Sequence, residues 1–356
     1  MSKLKSDHEQ TLRMRRQLLA WYARNQRDLP WRHNIDPYSV WVSEIMLQQT
    51  RVAVVIDRHQ AFLTRFPTLA SLAQAEEQQV LALWSGLGYY RRARMLHKAA
   101  QFVVQNLNCK LPVTSAELCQ LPGIGAYTAA AIASIAHDEP IAAVDGNVER
   151  VICRLQGWEA DDRAGKAQLK RKITARANEL VSPAHPGDFN QAMMELGATV
   201  CVPRNPQCLA CPLTVHCITQ GEHKTVSRAP MQSREAAYAL VTRVKQRRGS
   251  IHEEVLLNQR PTHLSVMPGL WELPTLRLTA VPAPDLRMTV RHAIMQINYL
   301  VHIRAVTEDE VEALTLPAVQ RRWVPLDQAA AMALTGLARK VLKCAHLLPV
   351  APPAAR

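Results

Sequence analysis

The chain has 356 residues, too many for one ordinary core and suited to two. Its 48% hydrophobic and 21% charged content is that of a globular protein and argues against disorder over most of the length. Forty-three Lys and Arg against thirty Asp and Glu leave a net charge of +13, of which +5 falls on residues 1–222 and +8 on residues 223–356, so the excess is no basic tail on a neutral enzyme. A polyanion, nucleic acid foremost, is the expected partner.

In chain order, residues 1–17 alternate charge and polarity without an apolar signal region, and the alanine-rich stretch 126–136 is too short and too interrupted to span a bilayer. The expectation is a cytoplasmic chain without a membrane segment. From Gln10 to about Leu180, apolar residues recur at helical spacing, as in Leu12, Leu18, Leu19 and Tyr22, and in Val80, Leu81, Leu83, Trp84 and Leu87. Pro30, Pro67, Pro112, Pro122, Pro140, Pro183 and Pro186 divide this half into short helices. After a polar segment over residues 221–234 the pattern changes: residues 238–244, 254–257 and 298–304 read as strands, followed by a helix near residues 326–347 and a frayed Pro- and Ala-rich end at 349–356. The predicted fold class is a mainly α first domain and a smaller α+β second one.

Four of the eight cysteines, Cys201, Cys208, Cys211 and Cys217, stand within seventeen residues. Such density in an intracellular chain points to metal. Zinc usually pairs two C-x2-C halves across a longer gap, so one compact loop of four thiolates suits a cubane iron–sulfur cluster better, with zinc the alternative. Cys109, Cys119, Cys153 and Cys344 are isolated and read as buried small hydrophobes.

Between two helical runs, Leu121-Pro122-Gly123-Ile124-Gly125-Ala126-Tyr127 offers glycines that let a turn close and present the backbone amides of Gly123, Ile124 and Gly125 at a helix start, where they can hold a phosphate without reading sequence. Twenty residues after Gly125, Asp145 precedes another helical run and is in itself an N-cap. Hairpin, aspartate and cysteine loop, in this order and spacing, resemble the helix–hairpin–helix DNA glycosylases from about Gln17 to Cys217. Within that group the segment around Glu44, residues 37–51, is similar to the adenine DNA glycosylases of the MutY type. So are Leu29-Pro30-Trp31-Arg32, Gly86-Leu87-Gly88-Tyr89-Tyr90, residues 189–197 and residues 269–274.

The resemblance implies a helical domain over 1–221, with a six-helix module and hairpin at about 30–136 and an iron–sulfur module from 1–29 and 137–221. It further implies a linker at 222–235, a Nudix-like lesion-recognition domain at 236–347 and a tail at 348–356. The cysteines would then hold a [4Fe-4S] cluster. The partner implied is double-stranded DNA carrying adenine opposite 8-oxoguanine or guanine, bound by a monomer that flips the adenine out of the stack. Glu44 would give a proton to N7 of the leaving base and Asp145 would stay ionised beside the cationic sugar, with Tyr127 and Asn147 supporting them. Glu44, Gln48 and Arg51 are expected on one helix face. Trp31, Arg32 and Gln191 resemble the pocket wall, Gln48 and Tyr89 the wedges in the stack, and Arg91, Arg92 and Arg94 are either phosphate contacts or a solvated face.

Endonuclease III-like enzymes carry a Schiff-base lysine where this chain has Tyr127, which implies a monofunctional glycosylase. An endonuclease III-like enzyme of other base specificity, or a non-catalytic DNA-binding iron–sulfur protein, are the alternatives. The chain departs from the family in the second domain. Ile294, Met295 and Gln296 stand where Phe-Ser-His is usual, and only Glu272 precedes Asp285 after Gly269, too few glutamates for magnesium-dependent pyrophosphate hydrolysis.

Overall fold

A computed structural model describes residues 2–159, 165–223, 230–247, 250–277, 286–316 and 320–348. The end at 349–356, Asp285 and residues 224–229 of the expected linker lie outside them. Two compact units are present, one formed by residues 1–74 and 95–226, the other by 75–94 and 227–356.

The first unit is helical among its described residues. Its elements are α1 (Ser2–Asn25), α2 (Pro30–His33), α3 (Pro37–Leu47), α4 (Val52–Arg65) and α5 (Leu69–Ala73), while α6 (Glu77–Leu83) falls in the second unit and α7 (Arg91–Asn106) begins there. The helical order continues with α8 (Ser115–Leu118), α9 (Ala126–His137), α10 (Gly146–Gln156), α11 (Lys166–Leu180) and α12 (Pro186–Thr199). Local chemistry sets these boundaries. Pro30, Pro37 and Pro186 occupy first-turn positions, where a missing N–H costs nothing. Asp36 caps α3 through Ser39 N, and Thr68 and Ser71 form a reciprocal capping box on α5. The small side chains of α9 are buried against α3, α8 and α12. A larger core joins Leu18, Trp21 and Tyr22 of α1 to Val151 and Ile152 of α10 and Phe189, Met193 and Leu196 of α12. Among the described residues no helix is long and apolar enough to cross a membrane.

Among its described residues the second unit holds two sheets built from β1 (Gln232–Leu240), β2 (Thr242–Arg247), β3 (Ser250–Gln259), β4 (Trp271–Glu272), β5 (Thr275–Leu276), β6 (Leu286–Ile294), β7 (Ile297–Ala305) and β8 (Gln320–Pro325). One sheet has the order β5-β1-β7-β6, with β1 and β7 parallel; in the other β3 pairs with β2, β4 and β8. The short helices α13 (Val311–Leu314), α14 (Leu326–Ala329) and α15 (Gly336–Cys344) complete it. The helix expected near 326–347 is thus two helices. The peptides of residues 330–335 are drawn elsewhere: Trp271 N–H donates to the Ala333 carbonyl, and Thr335 N–H donates to the Trp271 carbonyl before its side chain caps α15. The strands expected at 254–257 and 298–304 lie inside β3 and β7, each longer than its apolar pattern, whereas the one expected at 238–244 is the end of β1 and the start of β2, parted at Val241.

Residues 75–94 look in sequence like more of the helical array, yet they belong to the sheet-bearing unit. There Gln78 Nε2 donates to the Gly269 carbonyl at 3.3 Å, Arg94 pairs with Glu77 at 2.9 Å and donates to the Pro268 carbonyl, and the Tyr90 hydroxyl donates to the Leu334 carbonyl at 3.1 Å.

Candidate active site

A cavity of about 540 Å³ opens in the helical unit, within the size range of small-molecule sites. Trp31, Arg32, Glu44, Gln48, Tyr127, Asp145, Asn147 and Gln191 all line it. Residues scattered over 160 positions of sequence are thereby brought to one space.

Glu44 lies in the third turn of α3 and is only 5% exposed, which rules out a solvated stripe. Burial is the chief cause that pushes its carboxyl up to about 7; the hydrogen bond from Tyr127 and the charge of Arg32 oppose the rise, and the charge of Asp145 adds to it. The Tyr127 hydroxyl donates to Glu44 Oε2 at 2.5 Å, and burial holds the phenol well above its ordinary range. Asp145 is the N-cap of α10, as its place before the helical run predicts. Its Oδ1 accepts from the amides of Asn147 at 2.9 Å and Val148 at 2.8 Å, and Asn147 Nδ2 donates to its Oδ2 at 2.9 Å. Gly197 makes this corner possible, since a Cβ there would lie 2.6 Å from the Cβ of Asn147.

The shared helix face expected for Glu44, Gln48 and Arg51 does not form. α3 ends at Leu47, Gln48 leaves the helical region, Gln49 takes a positive φ of 56°, and Arg51 becomes the N-cap of α4. Gln48 still reaches the cavity, donating to Thr128 Oγ1 at 3.2 Å.

Four residues of this region escape a reading of the sequence. Glu195 has a side chain 0% exposed and accepts from Arg27 and Arg32, each at 2.7 Å. Burial pushes its carboxyl up, but the two arginines outweigh that and hold it below its ordinary value, so the pair remains ionic and orients Arg32 on the wall. The signal was available: Glu195 follows Gln191 by one helical turn in the same motif. Met194 lines the cavity too, with its sulfur 3.2 Å from the Tyr127 hydroxyl. Arg150 donates to Asn147 Oδ1 and to the carbonyls of Gly197 and Cys201, and buried Arg154 donates to the carbonyls of Cys201, Val202 and Pro203. No local pattern announces either arginine, because apart from Asn147 the partners named lie about fifty residues away.

Cys201, Cys208, Cys211 and Cys217 line a second, small cavity of about 20 Å³ in the same unit. Burial raises the Cys211 thiol to about 11 and raises that of Cys208, with charge on Cys201 and Cys217 adding in both. Arg154 Nη1 donates to Cys201 Sγ, and Cys217 Sγ donates to the Arg154 carbonyl, both at 3.3 Å. Among the described residues, no three His, Cys, Asp or Glu side chains form a group that could hold a metal ion. Cys109, Cys119 and Cys344 are exposed and Cys153 half-buried, so the expectation of buried hydrophobes fails for the first three.

At the hairpin the Gly123 φ is +77°, and a Cβ there would lie 2.4 Å from Met95 Cβ, so the turn requires glycine. Gly125 is the N-cap of α9 with no side-chain cap, and both glycines are exposed. Ile124 is buried and its amide already donates to the Leu121 carbonyl, which removes it from the expected trio of phosphate-facing amides.

Tyr89 stands outside this cavity, 52% exposed and at a positive φ of 45°, in the second unit. Arg92 stacks over Tyr89 and Trp84 and donates to the carbonyls of Leu87 and Gly88, and Arg94 is engaged with Glu77 and Pro268. Only Arg91 of the three arginines is left exposed.

Residues 42–178 match the profile of the HhH-GPD superfamily base excision DNA repair proteins. The adenine DNA glycosylase of Mus musculus is 35% identical over an alignment covering 95% of this chain and 79% of that protein. The adenine DNA glycosylase of Rattus norvegicus is 49% identical over 60% of this chain, and that of Homo sapiens 37% identical over 78%. The matched stretch spans 42% of the rat protein and 59% of the human one, less than two thirds of each. A thermostable thymine-DNA glycosylase of solved structure superposes with a TM-score of 0.55 at 27% identity, covering 60% of this chain and 98% of that one. By these likenesses, and above all the one that runs nearly end to end, the chain belongs to the adenine DNA glycosylase family of HhH-GPD base excision repair proteins.

Proposed function

We propose that this chain removes adenine mispaired with 8-oxoguanine or guanine in duplex DNA by hydrolysing its N-glycosidic bond, and that it leaves the strand uncut. The observation that carries the reading is a carboxylic acid at a pKa of about 7 on the same cavity as a helix-capping aspartate. Cleaving the bond between N9 and C1′ needs one group that can give a proton and one that stays anionic, and this pair divides those roles.

A base inside a duplex cannot reach a buried cavity, so the adenine is extruded first. Trp31, held edge-on by His59 at 5.6 Å, and Arg32, fixed by Glu195, form walls for it, with Gln191 on the same lining. Glu44 then transfers its proton to N7 as the electrons of the C1′–N9 bond pass to the base. Asp145 stands by the electron-poor C1′, its charge directed by Asn147 and the first amides of α10, until a water oxygen bonds to C1′ and its spare proton passes to solvent. Tyr127 carries no amine, so no Schiff base forms with the opened sugar and no strand nick follows. Gly123 and Gly125 offer amides to a phosphate, and exposed Tyr89 and half-buried Gln48 act as wedges.

The four cysteines of the second cavity suit a [4Fe-4S] cluster. Zinc needs all four sulfurs within about 2.3 Å of one point, whereas a cubane takes them at separate corners. Thiols that raise one another's pKa gain from a cationic cluster that accepts them as thiolates, and Arg154 adds positive charge beside Cys201. Bound there, the cluster would tie residues 201–217 into a fixed loop against α10.

The second unit would read the base opposite the adenine. Excision measured on A opposite 8-oxoguanine, A opposite G and A opposite T at one salt concentration tests the whole reading. Release confined to the first two pairs, with no covalent capture by borohydride, is expected; equal release from all three, or strong capture, would overturn it.

A further inference from the structure

The Tyr127 hydroxyl has one hydrogen and two acceptors in reach, Glu44 Oε2 at 2.5 Å and Met194 Sδ at 3.2 Å. It cannot donate to both at full strength, so its direction depends on which acceptor is better. An ionised Glu44 is much the better one, because charge-assisted hydrogen bonds are the stronger class. When Glu44 is protonated on Oε2, its own O–H donates to the phenol oxygen, and the phenol hydrogen must turn elsewhere. The thioether sulfur of Met194, a weak acceptor, lies where that hydrogen can go.

We propose that Met194 is a positioning residue for the reaction: its sulfur receives the Tyr127 hydroxyl while Glu44 holds its proton, and releases that hydroxyl to the carboxylate once the proton has left. The proposal rests on the reading of Glu44 as the acid that protonates adenine N7. As the C1′–N9 pair moves onto the base, the proton passes from Glu44 to N7, Glu44 becomes a carboxylate, and the phenol hydrogen rotates from sulfur to oxygen without leaving Tyr127. A fixed donor to Glu44 would favour the carboxylate throughout and so deplete the protonated form before it acts. A donor with a second place to point supports the acid first and its conjugate base afterwards.

The surroundings allow this to be isolated. Glu44 is faced by Arg32 from α2, Asp145 from the start of α10 and Tyr127 from α9, and the cavity also holds Glu149 and the Glu195 carboxylate bound to Arg27 and Arg32. None of these charges changes when Met194 becomes leucine, a swap that nearly conserves volume and removes only the acceptor.

The test is an infrared titration of the Glu44 carboxyl in the full-length free protein, its band identified by its loss in Glu44→Gln. Since the Tyr127 hydrogen bond lowers the Glu44 pKa, Met194→Leu should move the midpoint down by about 0.5 to 1 pH unit. Met194→Gln, whose amide oxygen is an acceptor again, should bring it back to the wild-type value or above. In a Tyr127→Phe background neither substitution should move it. An unmoved midpoint in Met194→Leu, an equal fall with Leu and Gln, or the same shift without the phenol would each overturn the proposal. The midpoint is read without DNA, so a protein that fails to release adenine would defeat the glycosylase reading and leave this measurement standing on its own.

Discussion

The cavity of the helical unit and the β6–β7 hairpin of the second unit stand at opposite extremes of how a protein holds a functional group. In the cavity, Glu44 is tied to Tyr127, Asp145 to Asn147 and two amides, and Arg32 to Glu195, all at 2.5–2.9 Å and at least partly buried. At the hairpin, Ile294 pairs with Ile297 across a two-residue turn whose Met295 is 71% exposed at a φ of 55°, with the Gln296 side chain exposed beside it. A buried, mutually satisfied group has its geometry set before substrate arrives, so altering it removes most of its effect. An exposed tip gains meaning only against a partner, and its alteration tunes a preference.

The sharpest way to break this contrast is at the two carboxyl groups. Glu44→Gln should lower single-turnover adenine release by about 10³-fold or more while duplex affinity changes less than about threefold. Asp145→Asn is expected to lose about 10²- to 10⁴-fold, because asparagine still caps α10 and keeps the fold but lacks the charge. If either variant retained a tenth of wild-type release under single-turnover conditions, the division of roles would be wrong.

The same carboxyl leaves a mark on stability. The folded protein binds the Glu44 proton up to about pH 7, the unfolded chain only to about 4.5, so the contribution is complete below 4.5 and is lost as pH rises through 7. On the order of 3 kcal/mol is at stake. Urea unfolding of the full chain at pH 5 and pH 8 should show this fall in the wild type, and Glu44→Gln should flatten it by roughly that amount. Arg154→Leu acts at the cysteine loop: it leaves the carbonyls of Val202 and Pro203 without their donor, which costs about 2 to 3 kcal/mol and should lower the iron retained per chain. Iron content unchanged in that variant would separate Arg154 from the cysteine loop.

How much of this could be read from sequence follows from how local each signal is. The cap at Asp145 is legible because capping is decided within three residues, and the shared cavity of the cysteines because four of them crowd one loop. Helix type was legible in α3 and α9 because apolar spacing is local as well. The end of α3 is not legible: nothing in Gln48 and Gln49 marks a positive φ, and helical spacing carries the face four residues too far, to Arg51. Arg150 and Arg154 act across about 50 positions, which no spacing rule reaches, and the helical spacing that sets Glu195 beside Gln191 does not reveal its partners Arg27 and Arg32 about 165 positions away. Residues 75–94 show the same limit at larger scale, since their helical pattern is true while their membership of the sheet-bearing unit depends on Gly269, Pro268 and Leu334.

The smallest expected effect lies at the hairpin and sharpens the contrast from its other side. Ile294 is half-buried, but Met295 and Gln296 touch little of their own unit; the Gln296 carbonyl accepts from Gln232 N–H, a contact of the backbone that survives any side-chain change. Replacing Ile294, Met295 and Gln296 by the Phe, Ser and His usual in the family should therefore leave the fold intact. A serine hydroxyl and an imidazole can hydrogen-bond an oxidised purine, which methionine cannot do, and each such bond is worth about 1 kcal/mol in discrimination. The ratio of release from A opposite 8-oxoguanine over A opposite G should then rise by about three- to tenfold, with release at saturating enzyme unchanged for the oxidised pair. If the ratio stays put, the lesion is read by other residues of the second unit, and the departure at 294–296 is a neutral one. If the rate itself falls, the tip does more than tune preference, and the distinction between fixed cavity and adjustable hairpin fails at its weaker end.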